Sequence, residues 1–298
     1  MNNVALTTAN IPLPHWHSGK VRNTYQIPNR KQLLLMVASD RLSTHNIVHL
    51  SPVPEKGELL TALSAFWLMG PLGSISHHIV AWGRRIYKYL PQEHEYPLGL
   101  HHRAIVIHER KVTRIEFIFR NYLAGSLWRA YQKSEDPYRL RLRQGLPLMH
   151  RFSQPVFTPT EKSENDEPLP YGDVLGRAPA GVVATRRAFN IGTPYLAERG
   201  ITLIDGKFEA SGKTLVDEWL NGDCCRMAWT KDVHEGEEPP WLDKEIARQI
   251  AMQKWGDGPK SPLEFSEYET NRIAAGYHTA FEAITNMTLS AFQKEHMD

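Results

Sequence analysis

Residues 201–209 read ITLIDGKFE, an apolar lead-in followed by charged side chains at every second position. Successive side chains of a β-strand point to opposite faces, so Asp205, Lys207 and Glu209 would share one face. The segment TLVDEWL at 214–220 follows a short turn containing glycine, and this arrangement predicts a β-hairpin. We therefore expect a row of charged side chains along one face of this hairpin.

The register of the hairpin decides whether its acids meet. If residues 211–213 form the loop, Lys207 faces Asp217, and Glu209 lies diagonally from Asp217 at about 7–8 Å. One Mg²⁺, held at about 2.0–2.1 Å by one or two carboxylates and by phosphate oxygens, fits that gap. A shift of one residue would turn Asp217 to the opposite face. A solvated strand face of alternating charges explains the same spacing, so the sequence leaves both interpretations open.

Strands are predicted mainly in the first part of the chain and helices in the last. The predicted strands cover residues 24–27, 32–39, 103–107 and 114–122, and the predicted helices cover 58–69 and 123–133. In the C-terminal third, an apolar stripe at helical spacing predicts a core-facing helix with Ile273, Tyr277, Phe281 and Ile284. This order favours an α+β fold, with a β-rich N-terminal lobe over residues 1–110 and a mixed α/β lobe over residues 111–298.

Two segments between these elements carry conflicting signals. Residues 152–173 are polar and rich in proline, which predicts a loop that becomes ordered when a ligand binds. Residues 174–199 have a helical pattern that two prolines and two glycines disturb. We therefore expect a broken helix there.

Composition narrows the class of protein. The 298 residues are 41 % hydrophobic and 23 % charged, which suits one large domain or two packed lobes. A net charge of +2 is too small to indicate a nucleic-acid or membrane partner. No apolar run is long enough to span a bilayer, and the N-terminus lacks a signal-peptide pattern. The adjacent Cys224 and Cys225 predict reduced thiols rather than a structural disulfide. We expect a cytoplasmic protein, and assembly into a homo-oligomer is left open.

Two further stretches have the chemistry of phosphate binding. GKVR at 19–22 precedes a predicted strand, where a glycine lets backbone amides approach phosphate oxygens and a lysine neutralises them. Arg120 ends a predicted strand before the turn LAGS at 123–126, so a guanidinium, the Ser126 hydroxyl and helix N-terminal amides could bind a monoester phosphate. Arg226 could supply a second guanidinium. An ordinary surface turn and ion pairs with nearby carboxylates explain the same residues without a ligand.

The histidines and the remaining arginines show weaker patterns. The pairs at 77–78 and 101–102, together with His94, lack a spacing typical of a metal site. The alternating arginines between residues 139 and 143 would form one solvated face without the aromatic residues that single-stranded nucleic-acid binding uses. We therefore assign neither group a function.

Taken in chain order, several blocks resemble the SAICAR synthetase family, the phosphoribosylaminoimidazole-succinocarboxamide synthases. The similar blocks are GKVRNTYQI at 19–27, LLLMVASDRLS at 33–43, PVPEKGELLTALSAFW at 52–67, FRNYLAGSLWRAY at 119–131, PVFTPTEKSENDE at 155–167, RGITLIDGKFEAS at 199–211, LVDEWLNGDCCRMAW at 215–229 and LDKEIARQIA at 242–251. They cover nearly the whole chain, and blocks of this length are specific.

The resemblance implies an ATP-grasp-like fold with nucleotide between a small antiparallel-sheet lobe and a larger α/β lobe. It implies a ligase that forms a carbon–nitrogen bond in purine biosynthesis, joining L-aspartate to 5-amino-1-(5-phosphoribosyl)imidazole-4-carboxylate (CAIR) with ATP and Mg²⁺. The resemblance also implies a role for individual residues by their position. It assigns ATP binding to Gly19, Lys20 and Arg22, and metal binding to Glu209 and Asp217. It assigns catalysis to Lys207 and Asp205, and substrate binding to Arg120, Ser126, Arg226, Arg248 and Lys162.

The chain also departs from the usual family pattern. Where the family typically has DRISAFD, residues 40–46 read DRLSTHN and lose an acid. The usual PDSSR appears as GDCCR at 222–226, so thiols replace hydroxyls and donate hydrogen bonds more weakly. These departures leave two alternatives: an ATP- and Mg²⁺-dependent ligase or small-molecule kinase with another acceptor, and a non-catalytic binding module. Retention of the clustered charges at Lys207 and Glu209 argues against the second alternative.

Overall fold

The computed structural model of the chain describes residues 10–163 and 165–298. Residues 1–9, on which the expectation about a signal peptide depends, lie outside the described residues. Among the described helices, none has both the length and the apolar character needed to cross a lipid bilayer.

Strands and helices are numbered separately, each in chain order. The strands are β1 His15–Ser18, β2 Arg22–Gln26, β3 Leu33–Ala38, β4 Ser43–Thr44, β5 Ile47–Val48, β6 Ile79–Trp82, β7 Ala104–His108, β8 Ile115–Tyr122, β9 Arg151–Phe157, β10 Thr160–Glu161, β11 Ile201–Ser211, β12 Thr214–Val216 and β13 Cys225–Trp229. The α-helices are α1 Lys56–Met69, α2 Leu100–Arg103, α3 Gly125–Gln132, α4 Tyr171–Arg177, α5 Pro179–Ala197, α6 Glu245–Trp255, α7 Glu267–Thr285 and α8 Leu289–His296.

Within the described residues, the strands form antiparallel sheets. A five-stranded sheet has the order β1-β2-β3-β7-β6. A six-stranded sheet contains β10-β8-β11-β12, with β13 paired to β11 and β9 paired to β8. Antiparallel sheets combined with separate helices confirm the predicted α+β class.

The chain divides into two compact units. Unit 1 contains residues 10–67, 78–109 and 243–298, and unit 2 contains residues 68–77 and 110–242. The C-terminal helices α6, α7 and α8 therefore belong to the same unit as the five-stranded sheet.

Unit 1 buries one face of its five-stranded sheet. Leu35 and Val37 of β3 and Val106 of β7 lie in one apolar cluster with Ile86 and Leu100. The apolar stripe predicted for the C-terminal third is buried on α7, as expected, at Ile273, Tyr277, Phe281 and Ile284. Helix α7 begins with a capping box at Ser266. The Ser266 hydroxyl accepts a hydrogen bond from the Glu269 backbone N–H, and the Glu269 carboxylate accepts one from the Ser266 backbone N–H.

Unit 2 has an aromatic layer on one face of its sheet. Phe117 and Phe119 of β8 and Phe208 of β11 are buried, and the Phe119 ring lies 4.8 Å from Phe157 and 5.6 Å from Phe189 of α5. Burying a side chain of this kind stabilises the fold by about 1.5–3 kcal/mol. Since side chains alternate along a strand, this layer directs the intervening charged residues to the opposite face.

For unit 2, one sequence prediction is wrong and another is confirmed. Most of β9 and all of β10 lie within residues 152–173, and both strands pair with β8 instead of forming a loop that awaits a ligand. Pro155 is tolerated in β9 because this strand pairs, among the described strands, with β8 alone. The helical pattern over 174–199 is broken at Ala178, as expected: α4 ends at Arg177, and α5 begins at Pro179 and continues through Pro194 to Ala197. Proline is favoured in the first turn, where its missing N–H has no helical partner.

Candidate active site

The charged residues of β11 lie opposite arginines of both neighbouring strands. In the strand register, Asp205 pairs with Arg120 of β8 and with Arg226 of β13. Its Oδ2 accepts a hydrogen bond from Arg120 Nη1 at 2.6 Å and another from Arg226 Nη1 at 2.7 Å. Asp205 is buried. A single carboxylate thus holds two guanidinium groups together away from water.

Arg120 is surrounded by protein partners. Its Nε donates to Thr158 Oγ1 at 2.8 Å, its Nη2 donates to Ser126 Oγ at 2.9 Å, and the residue is only 2 % exposed. Burial lowers the pKa of Arg120, and the charge of Asp205 acts against this effect. A guanidinium still remains charged at neutral pH. Arg120 therefore joins Ser126, its predicted neighbour, to Asp205, a partner that was not predicted.

The guanidinium of Arg226 lies at the N-terminus of α3. Gly125, the first residue of that helix, has φ +57°, and a Cβ added there would lie 2.5 Å from Arg226 Cζ. Both the left-handed backbone and the close approach require glycine. The turn LAGS therefore positions Arg226 as well as Ser126.

Lys207 contacts an acid that the sequence analysis did not assign. Its Nζ donates to Glu116 Oε1 of β8 at 2.7 Å, and Thr160 Oγ1 donates to the other Glu116 oxygen at 3.1 Å. Burial alone would lower the pKa of Lys207, but the carboxylates of Glu116, Glu209 and Asp217 outweigh burial and raise it. Lys207 is therefore a cation at neutral pH. It can stabilise negative charge, and it cannot act as a base or a nucleophile in that form.

Glu209 and Asp217, the expected metal ligands, form a pair of acids. Burial first, and then the charge of Asp217, raise the pKa of Glu209, while Lys162 and Lys207 lower it in part. The Glu209 carboxylate is 5 % exposed and accepts a hydrogen bond from Lys162 Nζ, whose side chain is 44 % exposed. Burial and the charge of Asp217 both disfavour the ionised form of Glu209, and a bound cation would counteract both. Carboxylate oxygens are ligands that Mg²⁺ prefers, so this pair of acids fits the ion.

The hairpin register differs from the expected one. Glu209 pairs with Val216, so the turn comprises residues 212–213 rather than 211–213. In a continuing strand this shift would turn Asp217 to the opposite face. However, β12 ends at Val216, and Asp217 has φ +65°, a left-handed conformation that redirects the chain. The charge of Asp217 therefore still acts on Glu209.

The predicted phosphate loop lies in unit 1, at the turn between β1 and β2. The Gly19 N–H donates to the Arg22 carbonyl at 2.7 Å, and Arg41 Nη2 donates to the Gly19 carbonyl at 3.1 Å. Lys20 is exposed at the tip, where its Nζ donates to Asn46 Oδ1. The structure thus brings Gly19, Lys20 and Arg22 together in one tight turn.

Arg248 belongs to unit 1, where it lies on α6. Its Nη1 binds Glu245 Oε2 at 2.7 Å. The other predicted substrate ligands, Arg120, Ser126, Arg226 and Lys162, all belong to unit 2. The role of Arg248 in substrate binding stays a prediction.

Three residues that contact these sites were not predicted from the sequence. Glu116 had a usable signal, because it alternates with apolar Ile115 and Phe117 and therefore shares a face with Arg120. Thr158 had none, since its contact with Arg120 spans 38 residues. Asn46 was noted only as a departure from the family pattern, yet its side chain holds Lys20.

The fold and the site together define an α+β enzyme of the class that binds anionic small molecules. Arg120, Arg226, a protonated Lys207 and Glu209 share one face of an antiparallel sheet, and Asp217 lies just beyond the end of β12. The SAICAR synthetase family matches residues 15–261, and this chain belongs to that family.

Individual relatives agree with this assignment. A phosphoribosylaminoimidazole-succinocarboxamide synthase of Neisseria meningitidis serogroup A is 35 % identical over 266 residues, which cover 83 % of this chain and 90 % of the relative. The enzyme of the same name from Pichia angusta is 31 % identical over 293 residues, covering 93 % and 96 %. The structure of a SAICAR synthase from Saccharomyces cerevisiae complexed with SAICAR has a TM-score of 0.82 at 29 % identity and covers 95 % of this chain and 99 % of that one.

Proposed function

We propose that this chain joins L-aspartate to the carboxylate of CAIR with ATP, giving SAICAR, ADP and phosphate. The observation that carries this proposal is the Arg120–Asp205–Arg226 cluster beside the protonated Lys207, in a chain whose relatives are named for this reaction. The yeast relative complexed with SAICAR supports the identity of the product. The partners are small molecules, with neither nucleic acid nor membrane, and we place the reaction in the cytoplasm.

The arginine cluster suits the phosphate of the imidazole nucleotide. Arg226 and Ser126 lie at the N-terminus of α3 and would bind the monoester phosphate, since helix N-terminal amides also favour an anion there. Each guanidinium nitrogen of Arg120 already donates one hydrogen bond to a protein side chain, which leaves two of its five N–H groups for other partners. It would orient Ser126 and Asp205 and add to the positive potential around the phosphate.

The hairpin suits the reacting groups. Mg²⁺ held by Glu209 and Asp217 would supply positive charge that offsets the terminal phosphates of ATP. Lys207, kept protonated by Glu116, would stabilise charge on the transferred phosphoryl group. Asp205 lies two positions earlier on the same strand face and would fix the position of the acceptor. Lys162 is exposed enough to leave Glu209 and bind a carboxylate of aspartate.

In unit 1, the loop GKVR at 19–22 would bind ATP. The Gly19 amide closes this short turn by donating to the Arg22 carbonyl, and Lys20 presents its ammonium group at the exposed tip. Asn46 holds Lys20 without adding a charge, so the lysine retains its full attraction for phosphate. Arg248 would release Glu245 and bind a substrate anion.

The chemistry requires that a carboxylate become an electrophile. A CAIR carboxylate oxygen attacks the γ-phosphorus of ATP. The bond from the γ-phosphorus to the oxygen that bridges to the β-phosphate breaks, and ADP leaves with that electron pair. The aspartate amine then attacks the activated carbonyl carbon. Phosphate departs with the former carboxylate oxygen, and the nitrogen loses its extra proton. The enzyme contributes positioning and positive charge, which are the main catalytic effects in phosphoryl transfer.

A turnover assay tests the proposal. ADP release and product mass are measured with ATP, Mg²⁺, CAIR and aspartate, and again with each omitted in turn. We expect ADP release to require both CAIR and aspartate and SAICAR to accumulate. Lys207→Met should abolish turnover, while Lys213→Met, an exposed lysine in the turn of the same hairpin, should retain it. ADP release without aspartate would instead indicate a kinase.

A further inference from the structure

Backbone contacts hold Asp298 at a defined position in unit 1. The Arg84 N–H donates to the Met297 carbonyl at 2.7 Å, and the Asp298 N–H donates to the Gln293 carbonyl at 2.9 Å. Gly83 has φ +57°, and a Cβ there would lie 2.6 Å from Met297 Cα. This close approach requires glycine and holds the backbone of Met297, the residue before Asp298, against Gly83.

Two adjacent histidines of α2 direct the same ring nitrogen at this carboxylate. His101 Nε2 lies 2.8 Å and His102 Nε2 lies 3.0 Å from Asp298 Oδ1. The ligand atoms of the three residues lie within 4.8 Å of one another. On its other side, His101 Nδ1 lies 3.3 Å from the Tyr87 hydroxyl. In the tautomer that carries its proton on Nδ1, the ring would donate to Tyr87, and Nε2 would offer its lone pair to an ion in place of its present contact with Asp298.

We propose that His101, His102 and Asp298 form a binding site for a divalent transition-metal ion of the Zn²⁺ class, separate from the Mg²⁺ site. Two imidazole nitrogens and one carboxylate oxygen suit Zn²⁺, Co²⁺ or Ni²⁺ better than Mg²⁺. Ligands of a tetrahedral ion with bonds of about 2.0–2.1 Å are about 3.4 Å apart. The observed nitrogen–oxygen distances therefore need to open by only about half an ångström.

The surroundings allow an ion to enter. The Asp298 side chain is 39 % exposed and His102 is partly exposed, so water can occupy the remaining coordination position. With an ion on Nε2, the Tyr87 hydroxyl would accept from Nδ1–H of His101, an outer contact of the kind that orients a histidine ligand. Arg84 Nε, 3.9 Å from Asp298 Oδ1, opposes a cation, but its side chain is 64 % exposed. Solvent screens this charge, and the side chain can turn away.

Such an ion would connect α2 to the segment that follows α8. These residues are separated by 197 positions in the chain, so the ion would link parts of unit 1 that are distant in sequence. An ion that binds only the folded state stabilises it. We therefore expect Zn²⁺ to raise the melting temperature whether or not the substrates of the ligase reaction are present.

Co²⁺ titration of the full, untagged chain tests the site, since Co²⁺ bound by nitrogen ligands has visible absorption. Excess Mg²⁺ is present to occupy the acids of the hairpin. We expect one Co²⁺ per chain, displaced by Zn²⁺. His102→Ala and Asp298→Asn should each weaken Co²⁺ binding by at least about tenfold. Loss of a contact to a metal ligand already has an effect of that size, and these substitutions remove a ligand itself. His108→Ala, an exposed histidine of the same unit, and Glu209→Gln should bind as the wild type does.

Either of two results would overturn the site: no stoichiometric Co²⁺ spectrum, or unchanged binding in both His102→Ala and Asp298→Asn. The cluster would then be an ion pair only. Asp298→Asn keeps the size of the side chain, and its circular dichroism spectrum without metal shows whether lost binding reflects lost structure. The readout is spectroscopic, so it is valid whether or not the ligase proposal holds.

Discussion

Replacing Gly125 with alanine tests whether the position of Arg226 controls substrate binding. The new Cβ would lie 2.5 Å from Arg226 Cζ, about 1 Å closer than the usual carbon–carbon contact of about 3.5–4.0 Å. The guanidinium must withdraw by a similar distance, which breaks its 2.7 Å hydrogen bond to Asp205. A hydrogen bond between charged groups contributes about 1.5–3 kcal/mol. We therefore expect kcat/KM for CAIR to fall by about 10- to 150-fold.

Gly145→Ala is the matched control for this substitution. Both glycines have left-handed backbones, with φ +57° and +78°, but a Cβ at Gly145 meets nothing within 4 Å. Both variants incur the left-handed backbone cost of about 1–2 kcal/mol. Urea denaturation should therefore show a loss of stability in both. Steady-state kinetics at saturating ATP and aspartate should show a large loss of kcat/KM in Gly125→Ala alone.

Similar kinetics in the two variants would refute this reasoning. That result would mean either that Arg226 does not contact the substrate or that α3 moves to accept the methyl group. A crystal structure of Gly125→Ala would separate these causes. If Arg226 is displaced in that structure and the kinetics are unchanged, Arg226 does not bind the substrate.

Other expected outcomes concern the acids, one histidine and the thiols. Glu209→Gln and Asp217→Asn should each abolish turnover without lowering the melting temperature much, because both keep side-chain size; near-normal activity in either would remove that residue from the metal site. Burial first, and then the charge of Lys244, lower the pKa of His49 from its usual 6.5. The unfolded chain therefore binds a proton before the folded chain does, so this contribution to stability is complete above about pH 6.5 and declines as the pH falls further. His49→Asn should make urea midpoints measured between about pH 7 and pH 5 less dependent on pH, and an unchanged slope would contradict this cause. Cys225→Ser should reduce turnover only mildly, because the thiol is buried and has no assigned chemistry, whereas complete loss in a folded variant would indicate thiol catalysis.

The local pattern of the hairpin predicted most of the polar face. Alternation along 201–209 placed Asp205, Lys207 and Glu209 together, because the side-chain period of a strand follows from backbone geometry alone. The position of Asp217 was predicted for the wrong reason. Its approach to Glu209 depends on a left-handed residue after β12, and a two-strand pattern does not reveal where a strand ends.

Contacts between distant parts of the chain could not be predicted from the sequence. The two histidines at 101–102 carried no metal-site spacing, because their third partner, Asp298, is brought near by packing of the C-terminal segment on Gly83. Similarly, sequence order grouped the C-terminal helices with the second half of the chain, whereas the compact units place them with the five-stranded sheet. Such groupings depend on tertiary packing rather than on local propensity.

The measurement that addresses the reaction most directly follows oxygen from CAIR labelled with ¹⁸O in its carboxylate. If ATP activates that carboxylate, one labelled oxygen leaves with each phosphate as the amide forms. We predict one ¹⁸O in the inorganic phosphate for every SAICAR produced in the presence of aspartate. SAICAR formed together with unlabelled phosphate, the second labelled oxygen having left as water, would contradict the account.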